Sequence, residues 1–497
     1  MTIVPSQVVF ESRDLFVRWR SQYPKFAALI DSGAGTSAAL RYLGIALWQD
    51  QNLDEAASVM VANASLCPND PQILGELGSL LSMTDQKDDA LHYLTASLSL
   101  DAGQPLVWLN LAGLCNEIGN KEMAEHAFRA VLDINPMSVD ATTGLGLLYL
   151  ESRRFADAIA FLQSAIAQGA NGMAIYACLG QAHYLLGEFT AAKYSFEAAL
   201  NLEPNQTAII KKLSYARLLE ALVATSVSDA TKIYFSSAGA LAEPINDVLR
   251  TAFQILSGYQ HTDAAVRVGE TLLAMSPGDP IVTYHLDALL GRAHTRAPDA
   301  YVAACFDKYA ATFNKHLVKV LDYNIPEKAS SMLATADRRF ERTLDLGCGT
   351  GLAAPQLLAV SDTLIGVDLS PRMLDEARKL NVYAELIEAE AVAYLKCETA
   401  PFDLIAALDV LVYFGDLAPL FHSVAARIER GGMFLFCYEL GTGEGFSFLA
   451  TGRYAHAPNY IASLIESRFE VVSDVETILR LEVNSPIASR LVLLRRS

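Results

Sequence analysis

Five copies of one 34-residue register constrain this chain more than any other feature. Gly44, Gly78, Gly146 and Gly180 fall on it, with Ala112 at the missing step. A second column, Ala56, Ala90, Ala124, Ala158 and Ala192, is unbroken. A third holds Pro68, Pro136 and Pro204, with Ala102 and Ala170 at its other two places. A fixed period of this length is the mark of stacked supersecondary units, each burying its apolar face against the next. Small residues belong where two helices touch closely. Large ones such as Trp108, Phe128, Tyr149 and Phe196 fill the space between, and Pro ends a unit because it cannot continue a helix.

The columns resemble the tetratricopeptide repeat (TPR), two antiparallel helices per repeat, over residues 37–206. The resemblance implies a concave groove lined by the first helix of each pair, through positions that include Arg41, Ile45, Trp48, Leu109, Leu147, Leu150, Gln181 and Tyr184. That lining is mixed and apolar, suited to a protein or peptide partner or to the chain's own second half. Residues 1–36 read as a helical extension. Residues 207–298 read as a degenerate repeat or cap, with Ala265 and Pro277 as remnants and a helix near 282–290.

Charge narrows the function classes. Net charge is 38 − 56 = −18, of which residues 37–206 carry 7 − 19 = −12. Neither half has the basic surface that phosphate neutralisation needs, so nucleic acid is not an expected partner, and neither is an anionic membrane. Residues 158–187 hold no charge, but Gln163, Gln168, Gln181 and His183 and a Gly-Ala-Asn-Gly break point to two packed helices rather than a membrane span. The seven cysteines are odd in number and never spaced as CxxC, which argues for a reducing, cytoplasmic compartment and against a zinc site. No metal is expected.

After Asp299 the pattern alternates strand and helix. Residues 342–346 read as a buried strand running into Gly347-Cys-Gly349-Thr-Gly351, then a helix, then a second strand, 363–367, ending in Asp368. This is the first half of a doubly wound sheet that binds a nucleoside, with Asp368 placed to accept from ribose hydroxyls. The glycines are spaced GxGxG rather than GxGxxG, and Asp345 precedes them by two. A carboxylate there repels a pyrophosphate and suits an amino group beside a sulfonium.

LDLGCGTG followed by GVDLS resembles the class I S-adenosyl-L-methionine-dependent methyltransferases, and with the repeats the chain resembles a family of TPR-containing methyltransferases from about residue 37 onward. The implied fold is multidomain: an all-α TPR solenoid followed by an α/β Rossmann-like class I methyltransferase domain, with a seven-stranded sheet, over 299–497. The resemblance implies S-adenosyl-L-methionine as cofactor, held by Asp345, Gly347, Gly349, Gly351, Asp368, Leu369, Glu390, Ala391 and Asp409, with Tyr309 and Phe313 on a preceding helix (306–318) that lies over it. Glu390 replaces the usual Asp at the adenine, and Arg468-Phe469 stands where Gly-Phe is common.

Methyl transfer proceeds chiefly by orientation in a dry site, so no conspicuous nucleophile is required. If a base assists, Asp409, Tyr413, Tyr438, Glu439 and His456 are the candidates. Asp409 also reads as a cofactor contact and His456 as a helix cap. Arg453 and Arg480 are candidates for a substrate carboxylate, or else surface ion pairs. The acceptor, small molecule or protein, is left open. Residues 1–298 are expected to recruit a partner and 299–497 to do the chemistry. The rival reading is an inactive TPR scaffold with a vestigial methyltransferase domain.

Overall fold

A computed structural model describes residues 13–33, 35–292, 294–310, 313–314, 323–336, 338–466, 468–482 and 485–497. Two compact units divide the chain after Arg217.

The first unit is helical from Arg13, with helices Arg13–Gln22 and Pro24–Asp31 preceding the repeats. Five helix pairs follow, from Thr36–Gln49 with Leu53–Leu66 to Met173–Leu185 with Phe189–Leu202. The columns have direct physical causes. A Cβ on Gly44, Gly78, Gly146 or Gly180 would come to 2.7 Å from Met60, Leu94, Leu162 or Phe196, the residue 16 positions on in the partner helix. The alanine column is fully buried at all five places. Pro68, Pro136 and Pro204 lie in the turns between pairs. In the expected groove, Arg41 donates through Nε to Glu76 of the next pair at 2.7 Å.

The second unit begins at Leu218 and contains more than the α/β domain read from the sequence. Helices Ile245–Gly258 and Thr262–Met275 form an antiparallel pair with Ala265 fully buried, and Pro280–Leu289 follows. Tyr284, on that last helix, packs against Tyr301 and Phe448, with ring centroids 4.2 and 5.4 Å away.

The sheet has nine strands' worth of alternation behind it: β1 Phe340–Leu346, β2 Ser361–Asp368, β3 Glu385–Glu388, β4 Phe402–Ala407, β5 Ile428–Glu439, a short hairpin of β6 Phe446–Phe448 and β7 Tyr454–His456, then β8 Phe469–Glu482 and β9 Ser485–Arg496. Seven of them form one sheet in the order β3-β2-β1-β4-β5-β9-β8, in which β9 alone runs against the others and so pairs antiparallel with both β5 and β8, and β6 and β7 pair separately. β4, buried at every residue, lies at the centre (Phe402-Asp-Leu-Ile-Ala-Ala). The chain reverses its direction of winding between β1 and β4, and in open α/β sheets a ligand crevice opens at the carboxyl ends of the strands at that point. Among the described residues, no helix is long and apolar enough to cross a membrane.

Candidate active site

A cavity of about 490 Å³ opens at that reversal. Its floor is the carboxyl ends of β1, β2 and β4, with Asp345, Gly347, Gly349, Asp368, Leu369 and Asp409 in the wall. Glu390 and Ala391, after β3, also line it, as do Tyr309 and Phe313 from the segment before β1. Of that predicted 306–318 helix, residues 311–312 and 315–318 lie outside the described residues.

The glycine turn is tied down by β2. Gly347 and Cys348 donate to the Val367 carbonyl at 2.7 and 3.0 Å. Asp368 accepts from the Gly349 N–H at 2.9 Å and from the Ser370 N–H at 2.8 Å, so one carboxylate fixes both the turn and the start of the next helix. Burial pushes the Asp368 carboxyl above its ordinary range, against the pull of those N–H groups. Gly349 has φ +54°, and a Cβ there would meet no protein atom. Gly351 differs from its neighbours. It is not part of the cavity wall, and a Cβ on it would run into Leu380 and Tyr383.

Asp345 is 3% exposed. Burial, the Tyr383 hydroxyl that donates to it at 2.7 Å, and the field of Asp368 together leave its carboxyl at about 7, burial and Asp368 raising it and Tyr383 lowering it. Glu390 caps the helix Ala391–Cys397, accepting from the Val392 and Ala393 N–H groups at 3.1 and 2.7 Å. It also pairs with Arg296 at 3.0 Å.

Asp409, just past β4, adopts φ +58°, a left-handed conformation that Asp tolerates better than most residues. Its N–H donates to Cys437 Sγ at 3.0 Å, and Oδ1 accepts from Arg480 at 3.1 Å. Arg480 reaches Glu439 as well, at 3.0 Å, and is 1% exposed, so this is a core guanidinium bridging two carboxylates and not a surface ion pair.

The five candidate bases separate by position. Asp409 and Tyr413 line the cavity, whereas Tyr438, Glu439 and His456 do not. The His456 ring is fully buried, its Nε2–H donating to the Phe414 and Gly415 carbonyls at 2.8 and 3.1 Å. Nδ1 has no polar partner among the described residues, and burial holds the ring's pKa down to about 4. It braces the loop after β4 instead of capping the following helix. Tyr438 packs beside Phe436 in the sheet core, and burial raises its hydroxyl to about 12. Tyr413 is likewise pushed up to about 12 by burial, opposed by the field of Arg453.

Sequence reasoning missed the strap that roofs this cavity. The Thr295 carbonyl accepts from the Gly415 and Asp416 N–H groups at 2.9 and 3.1 Å, and Ala297 N–H donates to the Tyr413 carbonyl at 2.8 Å. Arg296 and Ala297 thereby enter the wall, and Gln254, from the helix Ile245–Gly258, lines it as well, donating to the Tyr309 hydroxyl at 3.2 Å. No local signal marks their roles at the cavity, because the contacts that join them across it, Arg296 to Glu390 and Gln254 to Tyr309, link residues far apart in sequence. Asp307, beyond the strap, accepts from the Ser370 hydroxyl at 2.6 Å.

Residues 343–432, which hold the glycine turn, Asp368, Glu390 and Asp409, match the family described as a methyltransferase domain. Residues 117–173 and 174–206 match two families described as tetratricopeptide repeats. The chain carries a TPR array and a methyltransferase domain. Curated relatives include the ubiquinone biosynthesis O-methyltransferase of Thiobacillus denitrificans, 31% identical over 103 residues, which are 19% of this chain and 43% of that protein. The protein of the same name from Xanthomonas oryzae pv. oryzae is 24% identical over 168 residues, 32% of this chain and 68% of that one. The chain spans less than half the length of the first curated relatives it matches. Among solved structures, the N-methyltransferase NodS of Bradyrhizobium japonicum in complex with S-adenosyl-L-homocysteine is 16% identical with a TM-score of 0.32, over 39% of this chain and 98% of that chain. The MamA protein is 22% identical with a TM-score of 0.33, over 35% of this chain and 94% of that chain.

Proposed function

We propose that the methyltransferase domain binds S-adenosyl-L-methionine in the cavity and transfers its methyl group to a small-molecule acceptor held in the same space. The observation that carries this reading is the charge of the wall. Asp299, Asp345, Asp368, Glu390 and Asp409 line it with Arg296, Arg453 and Arg480, a formal balance of 3 − 5 = −2 with every acid ionised, around a glycine turn. That balance opposes a pyrophosphate and suits a ligand bearing cationic groups. When bound, the cofactor supplies an electrophilic methyl group on a sulfonium.

The chain's own residues would then divide the work. Asp368, holding the turn through one lone pair on each oxygen, keeps others to accept from ribose hydroxyls, and Gly349 leaves open the space beside them. Asp345 meets a cationic amino group as a carboxylate, which such a neighbour would favour over the neutral acid. Asp409, oriented by Arg480, would take a proton from an acceptor hydroxyl or amine, whereas the Tyr413 hydroxyl, pushed up to about 12 by burial, stays neutral and would only hydrogen-bond the acceptor. The aromatic walls exclude water from the transfer. The TPR array, with its preformed groove, recruits a protein or peptide partner, and the seven free thiols suit a reducing, cytoplasmic setting.

The test is turnover. The full chain, given S-adenosyl-L-methionine and a pool of small metabolites, should form S-adenosyl-L-homocysteine above a no-enzyme control, and Asp368→Ala should not. No product above control from the intact protein supports the inactive scaffold instead.

A further inference from the structure

Behind the cavity wall stands Tyr383, on the segment that leads into β3. It does not line the cavity itself, but its hydroxyl donates at 2.7 Å to Oδ2 of Asp345, which does. The backbone there is tied to β2, the Ala384 N–H donating to the Leu364 carbonyl at 2.8 Å. Two glycines make room for the ring. A Cβ on Gly366, inside β2, would come to 3.0 Å from one edge of it, and a Cβ on Gly351, in the turn, to 3.1 Å from the other. The hydroxyl therefore meets Asp345 from a fixed direction.

The groups that act on Asp345 come from separate segments. Tyr323, Cys348 and Tyr383 are kept neutral by burial, and Asp368, at the end of β2, brings the field of a second carboxylate. Burial and Asp368 favour the neutral acid at Asp345. The Tyr383 hydroxyl favours the carboxylate, because a donor stabilises the charged form. The balance leaves the group at about 7, where a small change in its surroundings decides its charge.

We propose that Tyr383 is a positioning residue for the cofactor: its hydroxyl aims the Asp345 carboxylate into the cavity to receive the cofactor's ammonium group, and binding releases the Asp345 proton to solvent. The ring packing between Gly351 and Gly366 supplies the aim, and the hydrogen bond supplies the bias toward charge. Tyr383 touches no ligand and acts through Asp345. The proposal rests on the methyl-transfer reading.

The experiment titrates the full chain calorimetrically, between pH 6 and pH 8, with S-adenosyl-L-homocysteine and with 5′-methylthioadenosine, which keeps the nucleoside and lacks the ammonium group. Affinity of the natural protein for S-adenosyl-L-homocysteine should fall about tenfold from pH 8 to pH 6, as Asp345 takes up its proton, while that for 5′-methylthioadenosine stays level. Losing a hydrogen bond to a charged group raises the Asp345 pKa by roughly one unit. Tyr383→Phe should therefore weaken S-adenosyl-L-homocysteine about eightfold at pH 6.5 but only about twofold at pH 8, and leave 5′-methylthioadenosine unchanged. In Asp345→Asn, binding should depend neither on pH in this range nor on Tyr383→Phe. An unaltered pH profile in Tyr383→Phe, or an equal loss of both ligands, overturns the proposal and leaves the parent reading standing. So does a level profile for S-adenosyl-L-homocysteine in the natural protein, a result that needs no variant to fold. Failure of S-adenosyl-L-homocysteine to bind at any pH overturns both.

Discussion

Replacing Arg480 by Met should destabilise the methyltransferase domain severely. The guanidinium is 1% exposed and bridges Asp409 at 3.1 Å and Glu439 at 3.0 Å, with the Glu439 side chain 7% and the Asp409 side chain 21% exposed. Met fills most of the space of the Arg stem, so the loss is one of charge. Removing one partner of a buried ion pair costs about 3–5 kcal/mol, because the remaining charge is left in a low dielectric. Glu439, the more buried carboxylate, supplies most of that cost. Adding Glu439→Gln to Arg480→Met should therefore recover about 1–2 kcal/mol, since a neutral amide is cheaper to bury than a carboxylate. All three tryptophans, Trp19, Trp48 and Trp108, lie in the first unit and report nothing on this domain. Hydrogen exchange of the β4 and β5 amides reads its opening directly. A cost of about 3–5 kcal/mol corresponds to exchange faster by roughly two to three and a half powers of ten. Acceleration of less than about tenfold, or no recovery in the double variant, would refute the assignment of a buried charge network.

Three further outcomes follow from particular residues. Asp345, with its carboxyl at about 7, keeps a proton between about pH 4 and 7 that the unfolded chain has released, so it makes the domain less stable as pH rises through that window. Relative to the natural protein, Asp345→Asn should gain on the order of 4 kcal/mol between pH 4 and pH 8; a pH-independent difference in calorimetric unfolding would contradict this. Gly349→Ala places a side chain in the cavity at φ +54° and should weaken S-adenosyl-L-homocysteine binding at least tenfold, with a backbone cost of about 1–3 kcal/mol, whereas Gly351→Ala should act on stability, through Leu380 and Tyr383. A fragment of residues 218–497 should be soluble and bind S-adenosyl-L-homocysteine with near-intact affinity, while 299–497, lacking Tyr284, Thr295 and Arg296, should precipitate or bind far more weakly; equal behaviour of the two fragments would show that the preceding helices are dispensable.

The features legible in the sequence are those whose cause is local or periodic. A glycine every 34 residues has one steric reason, the partner helix 16 residues on, and that reason repeats. The run Leu344-Asp-Leu-Gly-Cys-Gly-Thr-Gly351 encodes strand and turn in eight consecutive residues. What stayed hidden depends on contacts distant in sequence. Arg296 meets Glu390, and Thr295 meets Gly415 and Asp416, across roughly a hundred residues with no spacing to announce them. The division of the chain followed the same rule. The change from helical repeats to alternating strand and helix suggested a boundary at 298, while aromatic packing of Tyr284 on Tyr301 and Phe448 ties the helix before that point to residues after it. His456 shows a third limit. Composition identifies a titratable ring near a glycine turn, and only burial reveals that both of its hydrogen bonds go to backbone carbonyls.

Calorimetric titration of the intact chain with S-adenosyl-L-homocysteine tests the central claim most directly. The account predicts saturable binding at one site per chain, abolished by Asp368→Ala with the fold retained. An absence of heat from the intact protein, or binding indifferent to Asp368→Ala, would contradict it.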